Sequence, residues 1–105
     1  MELKEMLDRM TFILSGENLN RVEIKNGEKP QIILDLHGMN RKSARRVVKS
    51  IIAMYRFAFS FVIIHGYNHG TALKEMLSDS FDNPRIMSKK TPNYNPGLTC
   101  FEIAA

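Results

Sequence analysis

Residues 31–65 read QIILDLHGMNRKSARRVVKSIIAMYRFAFSFVIIH, and the fold is decided within them. The stretch opens with Gln31 to Leu36, an apolar run that stops at His37-Gly38, the pattern of a strand buried on both faces. Asn40 then stands where a helix cap belongs. Beyond it Ala44, Val47, Val48, Ile51, Ile52 and Tyr55 recur at steps of three and four, which aligns them as one stripe of a helix. Arg41, Arg45 and Lys49 lie together off that stripe, with Lys42 and Arg46 beside them. The helix therefore has an apolar side and a cationic side. Phe59 to His65 is a second buried strand, ended by Gly66. Strand, helix and strand in this order make a βαβ unit with parallel strands and a right-handed crossover.

Downstream of the unit, Thr71 is placed to cap a second helix whose stripe is Leu73, Met76, Leu77 and Phe81, with Pro84 beyond its end. Arg85 to Lys89 and Leu98 to Ile103 read as short strands separated by the turn residues Pro92, Asn93, Asn95, Pro96 and Gly97. Upstream, Leu3, Met6, Leu7 and Met10 recur at helical spacing, so Glu2 to Phe12 is a short amphipathic helix ended by Ser15, Gly16 and Asn18. Arg21 to Lys25 alternates polar and apolar, as a short strand that pairs with the next across NGEKP would. The order is an α/β arrangement, βαβαββ, after an N-terminal extension. The turn at Asn26 to Pro30 divides an extension, residues 1–30, from the principal domain, residues 31–105.

A chain of 105 residues with 44% hydrophobic and 25% charged residues has the length and balance of one folded domain rather than a disordered tail. The longest uncharged central run, Phe57 to Ile64, is far short of the roughly 20 apolar residues of a membrane span. No signal-peptide pattern opens the chain. The single cysteine, Cys100, fits a small core residue in a reducing compartment, which points to the cytoplasm. The net charge of +4 is unevenly spread: Leu36 to Lys74 holds seven basic residues (Arg41, Lys42, Arg45, Arg46, Lys49, Arg56, Lys74) and no acid, while the flanks sum to −3. Such a block favours a polyanionic partner, nucleic acid ahead of an anionic membrane surface. Like charges four apart on a helix repel, so five cations between Arg41 and Lys49 are more than a solvated face requires.

All three histidines follow the two parallel strands: His37 in LDLHG, His65 and His69 in HGYNHGT. Ligands of open α/β sheets gather at the carboxyl ends of strands, so these segments belong to one place. Asp35 and His37, two apart, share a face if the strand persists, and an Asp beside a His suits an oriented general base. A bland alternative ties Asp35 to the turn and leaves His37 structural. HGYNHGTALK leads into a helix start, where backbone N–H groups can receive a phosphate, although its glycines are equally explained as turn residues. Tyr67 is suited to stacking on an exposed base or to covering the turn. Three histidines also allow zinc, but no metal-ligand spacing is present and zinc is disfavoured. Mg2+ is compatible with phosphodiester chemistry, yet one Asp without a second carboxylate nearby does not require it.

LDLHG followed by a helix, then VIIHG and a glycine-containing turn into another helix, resembles the Smr (small MutS-related) domain over about Ile33 to Ile103. The resemblance implies a two-layer α/β sandwich with a four-stranded mixed sheet, similar to the C-terminal domain of bacterial translation initiation factor three. It also implies nucleic-acid binding and, as in several members, nicking of DNA or cleavage of RNA. By position Asp35 and His37 match the residues of the first motif that are linked to cleavage, and His65 and Gly66 match the opening of the second. The second motif departs from the family's H-G-x-G-x-G: Asn68 and His69 break it, and Gly70 and Lys74 stand in for its later glycine and basic residue.

The expectation is thus an Smr-like endonuclease acting on DNA or RNA. Asp35, His37 and His65 form its catalytic group, and Arg41, Lys42, Arg45, Arg46, Lys49, Gly66, Tyr67, Asn68, His69, Gly70, Thr71 and Lys74 bind nucleic acid. The altered second motif leaves a non-catalytic binding module as the alternative. A partner-binding protein is a third reading, with the N-terminal Met/Leu helix docking on the chain's own core or on a second copy to form a homodimer.

Overall fold

The computed structural model describes residues 3–14, 21–66 and 71–105. Their elements are α1 (Leu3–Leu14), β1 (Val22–Lys25), β2 (Gln31–Asp35), α2 (Arg41–Met54), β3 (Phe59–Ile64), α3 (Ala72–Glu75, continued by a π-helical turn over Met76–Ser80), β4 (Ile86–Lys90) and β5 (Leu98–Ile103). The sheet has the order β1-β2-β3-β5-β4. Its central pair β2 and β3 is parallel, and β1, β5 and β4 join antiparallel. Five strands stand where four were expected, because the strand anticipated before NGEKP pairs Val22 with Leu34 and Lys25 with Gln31.

The helix signals read from the sequence act as written at α2. Asn40 accepts a hydrogen bond from the Ser43 N–H at 2.8 Å, satisfying one of the donors that open a helix. Ala44, Val47, Val48, Ile51, Ile52 and Tyr55 are all fully buried, and each large side chain among them contributes about 1.5–3 kcal/mol by leaving water. Thr71 differs: it precedes α3 but makes no capping bond, its hydroxyl donating instead to Glu75 Oε1 at 2.7 Å. The helix then widens, with the Phe81 N–H reaching back to the Met76 carbonyl at 2.7 Å. Lys89 Nζ holds the far end of that turn, donating to the Leu77 carbonyl at 2.9 Å and to the carbonyl of Phe81.

Among the described residues the sheet is covered on one face only, which corrects the expectation of strands buried on both. Ile32, Leu34, Phe59, Phe61, Ile63, Phe101 and Ile103 are buried against the helices in one cluster, while Ile33, Val62, Ile64, Leu98 and Cys100 alternate with them and stay half-buried. Two layers follow, with the helices on one side of the sheet. Cys100 accordingly lies on the open face rather than in the core, and burial followed by the Glu102 carboxylate pushes its thiol pKa up. Met6, Met10, Ile13 and Leu14 of α1 belong to the same cluster. The expected boundary at residues 26–30 is therefore the turn of a hairpin, with the preceding residues in the same core. Helix α1 also runs two residues past Phe12; the Ser15, Gly16 and Asn18 expected to end it lie outside the described residues.

Candidate functional site

Strands β2 and β3 finish side by side, Asp35 opposite Ile64, and the Leu36 N–H donates to the Ile64 carbonyl at 2.7 Å. Asp35 sits on the open face, in phase with Ile33. The chain turns immediately after it, with the Met39 N–H on the Leu36 carbonyl at 3.0 Å and Gly38 at φ +81°. That turn brings His37 back over Asp35. Asp35 Oδ1 accepts from the His37 N–H at 3.0 Å and lies 2.7 Å from His37 Nδ1. A carboxylate only accepts, so Nδ1 carries a proton, and whenever the ring is neutral it is Nε2 that presents a lone pair. The ring is 71% exposed, and Nε2 has no hydrogen-bond partner among the described residues.

Arg21 secures this turn from the neighbouring strand. Its guanidinium donates to the carbonyls of Asp35 at 3.1 Å and His37 at 2.9 Å. Sequence reading placed Arg21 only in a short strand. The signal was the hairpin register: with Val22 opposite Leu34, the preceding residue comes beside Asp35.

The second motif meets the first through its backbone. Gly66, at φ +73°, lies close enough that a Cβ there would stand 4.0 Å from His37 Cβ. His65 N–H and Gly66 N–H both donate to the Gly97 carbonyl, at 2.9 and 3.1 Å, which fixes the end of β3 to the start of β5. The His65 ring turns the other way, into the helix-covered face, and is 6% exposed. Its Nδ1 is 2.8 Å from the Gly66 carbonyl and its Nε2 2.9 Å from Thr99 Oγ1. The carbonyl accepts only, so Nδ1 is the donor and the Thr99 hydroxyl donates to Nε2. His65 thus stands behind the turn it organises, and only Asp35 and His37 of the three share the exposed surface.

The cationic residues of α2 are all exposed, but they are not equivalent. Arg46 donates to the Ile13 carbonyl of α1 at 3.2 Å, and the Arg45 guanidinium lies 5.9 Å from the centre of the Phe81 ring, a cation–π contact. These two residues join α2 to its neighbours. Arg41, Lys42 and Lys49 have no hydrogen bond or ion pair among the described residues. Helix α2 begins at the site and runs away from it, so Arg41 and Lys42 are nearest, while Lys49 is about 12 Å further along the axis at 1.5 Å per residue. The N-terminal dipole of α2 adds a positive potential at the same end. Lys74 on α3 is half-buried and Thr71 exposed. Tyr67, Asn68, His69 and Gly70, expected to bind nucleic acid, lie outside the described residues.

Among the described residues no group of three or more His, Cys, Asp or Glu is placed to hold a metal ion, and no helix is long and apolar enough to cross a membrane. No protein-family model matches the chain, and neither does any curated protein or solved structure.

Proposed function

We propose that the chain binds nucleic acid and cleaves its phosphodiester backbone at the Asp35–His37 pair. The observation that carries this reading is His37 itself: an exposed imidazole whose proton is held on Nδ1 by Asp35, leaving Nε2 as a base facing solvent. A lone exposed histidine needs no such partner. Close to it in the chain stand Arg41 and Lys42, which have no hydrogen bond or ion pair among the described residues, and the start of a helix, all suited to a phosphate.

In this reading Nε2 takes the proton of an attacking water as its oxygen bonds to phosphorus. The P–O bond to the leaving oxygen breaks, and the imidazolium, stabilised by Asp35, returns a proton to that oxygen. Arg21 and His65 act as positioning residues, holding the turn and the neighbouring strand end. The resemblance to Smr domains supports the same assignment of Asp35 and His37, and the acid-free block supports an anionic substrate.

Incubating wild type and His37→Ala with supercoiled DNA and structured RNA at low salt tests the proposal, with cleavage and gel shift scored together. Loss of the base is expected to slow cleavage about 10²- to 10⁴-fold. Binding and thermal stability should stay as in wild type, because the ring is exposed. Equal cleavage by both proteins would refute the assignment of His37; bound but intact nucleic acid with both would favour a non-catalytic binding module. Absence of binding at any salt concentration would refute the nucleic-acid reading altogether.

A further inference from the structure

The row of residues that ends the sheet continues beyond Asp35. On the open face Asp35 stands opposite Ile64, and Ile64 opposite Leu98, so a carboxylate is followed by two half-buried aliphatic side chains across three strands. Strand spacing puts β5 about 10 Å from β2. The loop of residues 91–97 enters this row at Leu98, and at its middle Tyr94 is 84% exposed and makes no ring contact among the described residues. We propose that Tyr94 is a stacking platform for an unpaired nucleobase adjacent to the phosphodiester at Asp35–His37, which selects single-stranded over fully paired nucleic acid. The inference rests on the proposed function.

Three features separate Tyr94 from a tyrosine that merely happens to be exposed. First, its loop is fixed. The Gly97 N–H donates to Asn95 Oδ1 at 2.9 Å, the Asn95 N–H to the Pro92 carbonyl at 3.2 Å and the Leu98 N–H to the Asn95 carbonyl at 3.4 Å. Pro92 and Pro96 restrict the same turn. An aromatic carried on a preorganised loop loses little freedom when it binds.

Second, the loop is tied to the site, since its Gly97 carbonyl accepts from the His65 and Gly66 N–H groups and Gly66 abuts His37. Third, the surroundings suit a polyanion. Residues 83–101 contain no Asp or Glu, and although Arg85 and Lys89 are engaged by backbone carbonyls elsewhere, exposed Lys90 ends β4 at this same end of the sheet. Cations that follow the backbone and an aromatic that takes the base are how single strands are held without sequence readout. A base inside a duplex is already stacked and paired and has no face to offer Tyr94.

Fluorescence anisotropy with a dye-labelled unstructured RNA, the DNA of the same sequence, and the corresponding blunt duplex tests this on the full chain. Tyr94→Ala is expected to weaken single-strand binding about 5- to 100-fold, the value of one base–aromatic stack, with duplex binding unchanged. Tyr94→Phe, which keeps the ring, should restore single-strand affinity. A Tyr94→Ala protein that binds single strands as well as wild type, or loses duplex affinity in equal measure, would overturn the inference. If wild type binds while Tyr94→Ala is unaltered, the stacking role alone is refuted; if wild type binds none of the three probes, the proposed function fails and takes this inference with it.

Discussion

At the end of the sheet where β2 and β3 begin, polar groups are paired across long sequence separations. Arg85 donates to the carbonyls of Ala104 at 2.7 Å, Phe57 at 3.1 Å and Ile52. Glu102 is bound by Lys29 and accepts from the Ser60 hydroxyl at 2.9 Å, and the buried Tyr55 hydroxyl donates to the Met6 carbonyl, its pKa pushed up to about 12 chiefly by burial. At the opposite end, where the same strands finish, His37 Nε2 and the cations of Arg41 and Lys42 have no such partners among the described residues. Backbone there bends through two glycines of positive φ, Gly38 and Gly66. One end pairs its polar side chains within the protein, whereas the other, although Arg21 and His65 are bonded there, leaves His37 Nε2, Arg41 and Lys42 without partners among the described residues, the groups that the proposed function assigns to a ligand. Stability and function can therefore be perturbed separately.

The sharpest way to break that division is Arg85→Ala. Three carbonyls would lose a charged donor in a part-buried site, and each buried acceptor left without a partner costs about 1–3 kcal/mol. Such a loss is a large fraction of the roughly 5–15 kcal/mol that holds a domain together. Thermal unfolding followed by circular dichroism should show a midpoint lower by more than about 10 °C, at about 4–8 °C per kcal/mol for a domain of this size. The His37→Ala protein should melt as wild type does. A small shift for Arg85→Ala, or a large one for His37→Ala, would reverse the roles assigned to the two ends.

Gly66→Ala sharpens the comparison with a smaller effect. A left-handed conformation costs an L-residue about 1–2 kcal/mol, and the added methyl would meet His37 Cβ only at ordinary contact distance. The strain is thus in the backbone. Gly38→Ala carries the same backbone cost with open space around it. Both variants should lower the unfolding midpoint by similar amounts, about 4–16 °C on the same scale. Equal stability with wild type at either position would mean that the turn relaxes out of its positive φ.

What the sequence could show follows from the range of each signal. The stripe from Ala44 to Tyr55, the Asn40 cap and the alternation of β5 are local patterns, and each yields the observed element. Coverage of the sheet is not local. The Ile-rich run of β2 reads as buried on both faces, yet only the arrangement of α1, α2 and α3 on one side decides that Ile32 is enclosed and Ile33 half-buried. The Asp35–His37 pair was legible because its residues are two apart. Arg21 was not, because its role appears only once the hairpin register is known, and Tyr94 joins the same end of the sheet only through the pairing of Leu98 with Ile64. His65 was legible as a residue but not in its direction: strand phase, with Phe61 and Ile63, turns it into the helix-covered face.

The finest test of the closed end is acid titration of the Lys29–Glu102 pair. The hydrogen bond from Lys29 is the foremost cause holding the Glu102 carboxyl below its ordinary value, opposed by burial and aided by Ser60 and Lys90. A carboxyl whose pKa is depressed by folding stabilises the native state above its unfolded value, and that contribution disappears as pH falls through the native one. Both side chains are more than a third exposed, so solvent screening limits the pair to about 0.2–1 kcal/mol at neutral pH. Lys29→Met should therefore be slightly less stable than wild type in urea at pH 7. The gap should close below about pH 4.3, the ordinary glutamate value, as Glu102 becomes protonated in both proteins. A gap that persists unchanged at pH 3 would show that Lys29 acts through its aliphatic stem against the β1–β2 turn, and that the charge contributes nothing to closing this end of the sheet.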